Sequence, residues 1–204
     1  VNFQEHEVVI NDGRSSNSAT LEKQGFELIE DDMENLAIDF FDNNTVLFDY
    51  YPRCANLVKK ATGAGTVYAF DHNIRSAAGK KSKKMITGGQ QVQGPAHAVH
   101  GDYTLTSAPA RVDQLSKPPG KNDTIRSIVN EQESLVSPGE AKHVLDGGRF
   151  AIINVWRSIV PEPVEINPLA LCDASKVHPD DLVVFEIHYA DRIGENYFAK
   201  YNPN

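Results

Sequence analysis

Short strand-like runs separated by turn residues constrain this chain more than any other feature of its sequence. Residues 149–159 are almost continuously apolar around Phe150–Trp156, which is typical of a buried strand. Residues 99–106, 182–189 and 196–201 are rich in β-branched and aromatic side chains and lie between Gly, Pro or Asn turns. The second half of the chain is therefore predicted to be dominated by strands, in a β-sandwich or barrel-like core.

The first half carries the clearest helical spacing. Apolar residues recur at intervals of three and four from Val46 to Lys60, and Gly63 follows as a helix stop. Short strands are predicted at residues 8–10 and 66–70. Helical support at the N-terminal side of a β core is the architecture that this order favours.

Three further segments lie between these elements. Residues 76–94 are rich in Gly, Ser, Lys and Gln, and they are predicted to form a mobile loop that could act as a lid. Residues 109–122 are predicted as a second loop, and residues 123–130 as a short helix capped by Asp123. No domain boundary is evident, so the 204 residues are predicted to form a single domain.

Composition excludes several classes of protein. The net charge of −8 disfavours nucleic acid as the main partner, because binding phosphates requires a basic surface. No apolar run of about 18 residues is present, so no membrane span is predicted. Cys54 and Cys172 fit buried free thiols in a reducing compartment, which favours a cytoplasmic protein.

The tripeptide His100-Gly101-Asp102 is the best clue to chemistry. On an extended strand, residues two apart point to the same side, so the imidazole and the carboxylate can bind one cation. A second histidine would complete the 2-His-1-carboxylate triad of non-haem iron(II) sites, with open positions for other ligands. No third ligand is obvious in the sequence.

Several ordered segments resemble the AsaB-like hydroxylase/desaturase family, which includes gibberellin-desaturase-like and cephalosporin-methoxylase-like enzymes. The resemblance runs from about Leu21 to the end of the chain. It is carried by residues 63–75 (GAGTVYAFDHNIR), 100–104 (HGDYT), 154–157 (NVWR), 168–173 (PLALCD) and 191–195 (DRIGE), followed by Tyr197 and Tyr201.

This resemblance implies a double-stranded β-helix, or jelly-roll, with iron(II) as the metal and 2-oxoglutarate and dioxygen as cosubstrates. Such enzymes hydroxylate or desaturate small secondary metabolites. By position, His100 and Asp102 would be two iron ligands. The resemblance implies that a histidine is the third ligand and that an arginine binds 2-oxoglutarate, and both are expected after Asn204. Either the C-terminal part of the domain lies outside this sequence, or the site is incomplete.

Two residues on the predicted strand 149–159 are candidates for binding the cosubstrate. A buried arginine is costly unless it is paired, so Arg157 either binds an anionic ligand or forms an internal ion pair with a residue such as Asp173 or Glu186. Asn154 and Thr104 could reach the cavity.

Two alternatives to the oxygenase stay open. One is a degenerate jelly-roll binding protein without a complete metal site. The other is a cupin-like metalloenzyme that uses no oxoacid and takes a substitute third ligand such as His188, although a packed core role is the preferred reading of that histidine.

Overall fold

Helix formation begins at Asp42, whose carboxylate caps the first turn by accepting from the Thr45 backbone N–H at 3.2 Å. In this computed structural model, which describes residues 4–15, 19–33, 38–188 and 193–202, three segments then run on without a break. They are α1 (Asn43–Thr45), a π-helical turn (Val46–Tyr50) and α2 (Tyr51–Thr62). Gly63 ends them at a φ of 68°, a left-handed conformation that suits glycine. The predicted helix is confirmed.

The remaining elements are short. The other α-helices are α3 (Ala77–Lys81), α4 (Ser107–Leu115) and α5 (Pro138–Leu145), and 3₁₀ turns span Thr124–Ser127, Ala174–Lys176 and Pro179–Asp181. The strands are β1 (His100–Gly101), β2 (Leu182–His188) and β3 (Ile193–Ala199). No helix in the described ranges combines the length and the apolar character needed to cross a membrane.

The chain divides into two compact units. The helical unit comprises Leu36–Pro95 and Ala108–Pro163, and the sheet unit comprises Val1–Asn35, Ala96–Ser107 and Val164–Asn204. The prediction of one domain stays a prediction.

Two apolar clusters form the core of the helical unit. The larger joins α2 and its preceding turns to α4 and α5, and its buried residues are Val46, Leu47, Tyr51, Leu115, Ile125, Val136 and Ala141. The smaller consists of Ile74, Ile86 and Val92. Residues 76–94 are therefore not a structureless loop: they contain α3, and Val92 within them is fully buried.

The sheet unit is a three-stranded antiparallel sheet in the order β1-β3-β2. His100 pairs with Phe198 and Gly101 with Tyr197, and on the other side Val184 pairs with Tyr197. The predicted strands at 182–189 and 196–201 are confirmed in outline. A small mixed fold with an antiparallel sheet is what the structure shows, and the jelly-roll stays a prediction.

Other predicted elements are wrong. Residues 8–10, 66–70 and 149–159 belong to no strand within the described ranges, and only two residues of the predicted strand 99–106 are in β1. An apolar run predicts burial, but a strand also requires a neighbour that supplies hydrogen bonds, and Trp156 is 48% exposed. Residues 109–122 were predicted as a loop, yet α4 includes residues 109–115, and it tolerates Pro109 because that residue lies in the first turn, where no backbone N–H is needed.

Asp123 precedes a 3₁₀ turn as predicted, but its side chain does not cap it. Its carboxylate instead accepts from Arg111 Nη2 at 2.8 Å and from the Gly120 backbone N–H at 2.7 Å. The two charged side chains are only 9% and 11% exposed. This ion pair fixes the segment after α4 to the helix.

Substitution Asp123→Asn is expected to destabilise the helical unit by about 3 kcal/mol, because it leaves the buried Arg111 guanidinium without a counter-charge. Urea unfolding followed by circular dichroism measures the change. The matched control is Asp113→Asn, which breaks the exposed Asp113–Lys117 pair and should cost less than about 1 kcal/mol. Equal effects of the two substitutions would contradict the assignment.

Candidate metal centre

His100 and Asp102 lie side by side at the end of β1. His100 Nε2 and Asp102 Oδ1 are 3.5 Å apart, and the two side chains are 27% and 43% exposed. The chain bends at Asp102, directly after the strand. The expected juxtaposition of imidazole and carboxylate is present in the structure.

The hydrogen bond of the His100 imidazole to the Ala98 backbone fixes which ring nitrogen carries a hydrogen in the neutral form. His100 Nδ1 lies 2.8 Å from the Ala98 carbonyl oxygen, and a carbonyl can only accept, so Nδ1 carries the hydrogen. In the neutral ring, Nε2 then presents a lone pair toward the carboxylate of Asp102. The 3.5 Å separation is longer than an ordinary N–H···O hydrogen bond of about 2.7–3.2 Å.

Two electron-pair donors that face each other are stabilised by a cation between them. Metal-bound histidines commonly donate their other ring N–H to a backbone carbonyl, as His100 does to Ala98. Imidazole nitrogen and carboxylate oxygen suit iron(II). The donor set and the tautomer therefore fit the metal that the sequence predicted.

Strand β3 supplies neighbours that sequence reasoning missed. Phe198, the register partner of His100, stacks on Phe185 of β2 with ring centroids 3.8 Å apart. In an antiparallel ladder, paired residues share a face, so the aromatic pair lies on the face of the sheet that carries His100. The sequence placed Phe185 and Phe198 on two predicted strands but did not show that they are neighbours, because the register between strands cannot be read from local sequence.

His188 does not provide a substitute third ligand. It pairs with Ile193, whereas His100 pairs with Phe198, five residues farther along β3. An odd separation places the two histidines on opposite faces of the sheet. Its side chain is 66% exposed and lies 2.8 Å from Glu186 Oε2, so the preferred reading of a packed core residue is wrong.

No group of three or more His, Cys, Asp or Glu residues suited to hold a metal occurs in the part of the chain that the structure describes. The predicted pair would supply two of the three protein ligands that a facial triad needs. The residues that the structure describes do not include Tyr189, Asp191 and Arg192. Asp191 and Arg192 belong to one of the segments that carry the family resemblance, and Tyr189 precedes it.

The predicted cosubstrate residues belong to the helical unit. Arg157 is half-buried and its Nε donates to the Ser158 carbonyl at 3.3 Å. Burial raises the pKa of the Tyr50 hydroxyl, with Cys54 adding to the increase and the Arg157 guanidinium opposing it. Arg157 therefore lies against a tyrosine at the end of the π-helical turn.

Three further residues bear on the sequence predictions. Asn154 is exposed and belongs to no strand, and its role in binding the cosubstrate stays a prediction. Asp173, one suggested partner of Arg157, accepts from the Ser175 N–H and hydroxyl at 2.9 and 2.6 Å, and its pairing with Arg157 stays a prediction. Cys172 is a free thiol but is exposed rather than buried.

A second polar cluster surrounds His72 in the helical unit. The buried Tyr51 hydroxyl lies 2.9 Å from His72 Nδ1, and the Asp71 carboxylate accepts from Thr124 Oγ1 at 2.6 Å. Burial lowers the pKa of His72 below its usual value, and the Asp71 carboxylate opposes this shift. His72 is therefore held neutral as the partner of Tyr51.

Comparison with known proteins defines the class to which this chain belongs. Residues 1–204 match the family described as oxidoreductase/YMDC permease-like domain. The chain belongs to this family.

Curated relatives make the class more specific. Hydroxylase/desaturase efuI of Hormonema carpetanum is 29% identical over 189 residues, which are 89% of this chain and 55% of efuI. Fe(II)/2-oxoglutarate-dependent dioxygenase nvfI of Aspergillus novofumigatus is 31% identical over 89% of the chain and 55% of nvfI. The predicted resemblance to hydroxylase/desaturase enzymes is confirmed, and the chain spans about half the length of these two relatives.

A bacterial relative covers a larger share of its own length. An uncharacterised protein encoded in the dcmA 3' region of Methylophilus leisingeri is 44% identical over 153 residues, which are 74% of this chain and 70% of that protein. No solved structure matches the chain significantly.

The lowered pKa of His72 predicts a pH dependence of stability. Unfolded His72 takes up a proton near its ordinary pKa of about 6.5, whereas folded His72 resists it, so the unfolded state binds more protons just below that pH. The free energy of unfolding of the helical unit should therefore fall as the pH falls below about 6.5.

His72→Asn should flatten this dependence, whereas His143→Asn, at an exposed histidine of the same unit, should leave it unchanged. Denaturant titrations between pH 5 and 8 provide the measurement, with the pH range set by the ordinary histidine pKa of about 6.5. Parallel curves for wild type and His72→Asn would contradict the prediction.

Proposed function

We propose that this chain forms part of a non-haem iron(II) and 2-oxoglutarate-dependent oxygenase that hydroxylates or desaturates a small molecule. The observation that carries the proposal is the His100–Asp102 pair, with Nε2 and Oδ1 3.5 Å apart and the tautomer fixed by Ala98. The relatives named as dioxygenases and hydroxylase/desaturases support it. The fold that it implies is a jelly-roll, of which β1, β3 and β2 are three strands.

In this proposal His100 and Asp102 hold the iron through Nε2 and a carboxylate oxygen. The third protein ligand then lies outside the residues that the structure describes. Bound iron(II), with 2-oxoglutarate and dioxygen, would supply the oxidising power to cleave an unactivated C–H bond. The role of the chain's residues is to hold the metal and to orient the molecules around it.

The aromatic pair indicates the substrate class. Phe185 and Phe198 are half-buried and present an apolar surface on the face that carries His100. Such a surface excludes water and positions an apolar carbon skeleton without engaging polar groups. A small, largely apolar metabolite fits this arrangement.

Arg157 is proposed to bind a carboxylate of 2-oxoglutarate, and Asn154 to assist it. A guanidinium is always charged and can pair with a carboxylate through two hydrogen bonds. Support comes from the half-burial of Arg157 beside Tyr50, since a partly desolvated cation gains most from an anionic ligand.

Metal binding tests the central proposal. His100→Ala in the full-length protein should weaken iron(II) binding by more than the roughly 10–100-fold that follows loss of an outer-shell partner, because it removes a ligand. It should also abolish succinate formation from 2-oxoglutarate. Anaerobic iron(II) titration and succinate analysis measure the two effects.

The control for His100→Ala is His188→Ala, which removes an exposed histidine that also pairs with a carboxylate two residues away. It should bind iron(II) like the wild type. Unchanged iron(II) binding by His100→Ala would place the metal elsewhere, and a wild type that binds no iron(II) would favour the alternative of a jelly-roll binding protein without a complete metal site.

The cosubstrate role makes a separate prediction. Arg157→Lys should raise the KM for 2-oxoglutarate on the order of tenfold with a smaller change in kcat, because lysine keeps the charge but loses the two-bond geometry. Steady-state kinetics with varied 2-oxoglutarate give both constants. Arg126→Lys, at an exposed arginine of the same unit paired with Glu131, serves as the control. An unchanged KM for Arg157→Lys would assign that arginine to structure.

A further inference from the structure

Strand β3 holds the segment that contains His100 and Asp102 at successive positions. The Ala199 N–H donates to the Val99 carbonyl at 3.2 Å, His100 pairs with Phe198, and Gly101 pairs with Tyr197. If the register continues, the next residue, Asp102, faces Asn196. The strand pairing itself ends at Gly101, so Asp102 needs another means of support.

The Asn196 side chain provides part of this support. With its amide nitrogen turned toward the backbone, it donates to the carbonyl oxygens of Asp102 and Glu195, each at 3.1 Å. The side chain thus replaces the backbone hydrogen bond that the ladder would have made. It holds the Asp102 backbone against β3.

Two residues after Asp102, the chain is attached to β3 again, through the side chains of Thr104 and Ser107. The Thr104 hydroxyl donates to Glu195 Oε2 at 3.0 Å and accepts the Ser107 N–H at 2.9 Å. The Ser107 hydroxyl accepts the Thr104 N–H at 2.8 Å and donates to the Glu195 carbonyl at 2.7 Å. Each of the two hydroxyl groups therefore donates its hydrogen to Glu195 and accepts a hydrogen bond from a backbone N–H of the turn.

Burial distinguishes this network from ordinary surface hydrogen bonds. Thr104 is 4% exposed, and it is the one buried residue of the sheet unit within the described ranges. A buried hydroxyl with all its bonds made is costly to disrupt. From the sequence, Thr104 could reach the cavity; in the structure its hydroxyl ties the turn to β3.

We propose that Thr104 and Glu195 are positioning residues for the metal centre, which hold Asp102 in place relative to His100. Asp102 and Tyr103 form a span of two residues between two points attached to the same strand, Gly101 at Tyr197 and Thr104 at Glu195. Release of the second point removes one of the attachments that hold the turn, and with it the carboxylate, against β3. The inference rests on the proposed metal site and adds the residues that pre-organise it.

The test is the affinity of the full-length protein for Mn(II), used as a spectroscopic probe in place of iron(II) and measured by electron paramagnetic resonance. Thr104→Val keeps the shape of the side chain but loses the hydroxyl, and it should weaken Mn(II) binding roughly 10–100-fold. Thr104→Ser keeps the hydroxyl and should restore affinity to within about threefold of the wild type. Thr106→Val makes the same change at the exposed threonine of the same turn and should have no effect.

Glu195 tests the same hydrogen bond from the other side, which covers the case in which Thr104→Val does not fold. Glu195→Gln keeps an acceptor oxygen for Thr104 and should bind Mn(II) nearly as the wild type does, whereas Glu195→Ala should lose affinity as Thr104→Val does. A merely structural role would lower the denaturant midpoint of these variants without changing the affinity of the folded protein.

The outcomes separate the two proposals. If wild-type protein binds no Mn(II) or iron(II), the metal centre and this inference both fail. If the wild type binds and His100→Ala does not, while the folded Thr104→Val and Glu195→Ala variants bind normally, the metal centre stands and the positioning role is overturned.

Discussion

The antiparallel pairing of β1 with β3 is the interaction on which the candidate metal centre depends. It consists of only two residue pairs, and these place His100 beside Phe198 and point the imidazole to one face of the sheet. A slip of the register by one residue would turn that side chain to the opposite face. Because so short a ladder specifies its register weakly, the side chains of Asn196, Thr104 and Glu195 add the hydrogen bonds that fix it.

The two units of the chain differ in how they are held together. The helical unit has an apolar core, a buried ion pair between Arg111 and Asp123, and a buried tyrosine bonded to His72. The sheet unit is held together more by hydrogen bonds than by apolar packing, because strand residues such as Val184 and Ile193 are 50% and 58% exposed. The proposed metal ligands therefore lie in the unit whose geometry is defined by polar contacts rather than by packing.

Sequence reasoning succeeded where a pattern is local. The helix from Val46 has its own periodicity and its own stop at Gly63. The two-residue spacing of His100 and Asp102 predicted that their side chains lie close together, as they do, although Asp102 lies in a bend just after β1. It failed for residues 149–159, because an apolar run does not specify a partner strand. The helix α5 was overlooked although Ser137 and Glu140 form a capping box at its start, a signal that could have been read. Phe185, Asn196 and Glu195 could not have been found, since cross-strand neighbours depend on tertiary register.

The two-residue span between Gly101 and Thr104 has a consequence for recognising related proteins from sequence alone. Its length is set by the distance between two attachment points on one strand, so in the proposed metal site an insertion or deletion there would shift the Asp102 carboxylate relative to His100 even if both side chains were retained. The informative signature is therefore the longer pattern His-Gly-Asp-x-Thr-x-x-Ser, read together with a Glu-Asn pair far downstream. If the proposed metal site is right, chains that keep His-x-Asp but change this spacing would be expected to bind a metal differently or not at all.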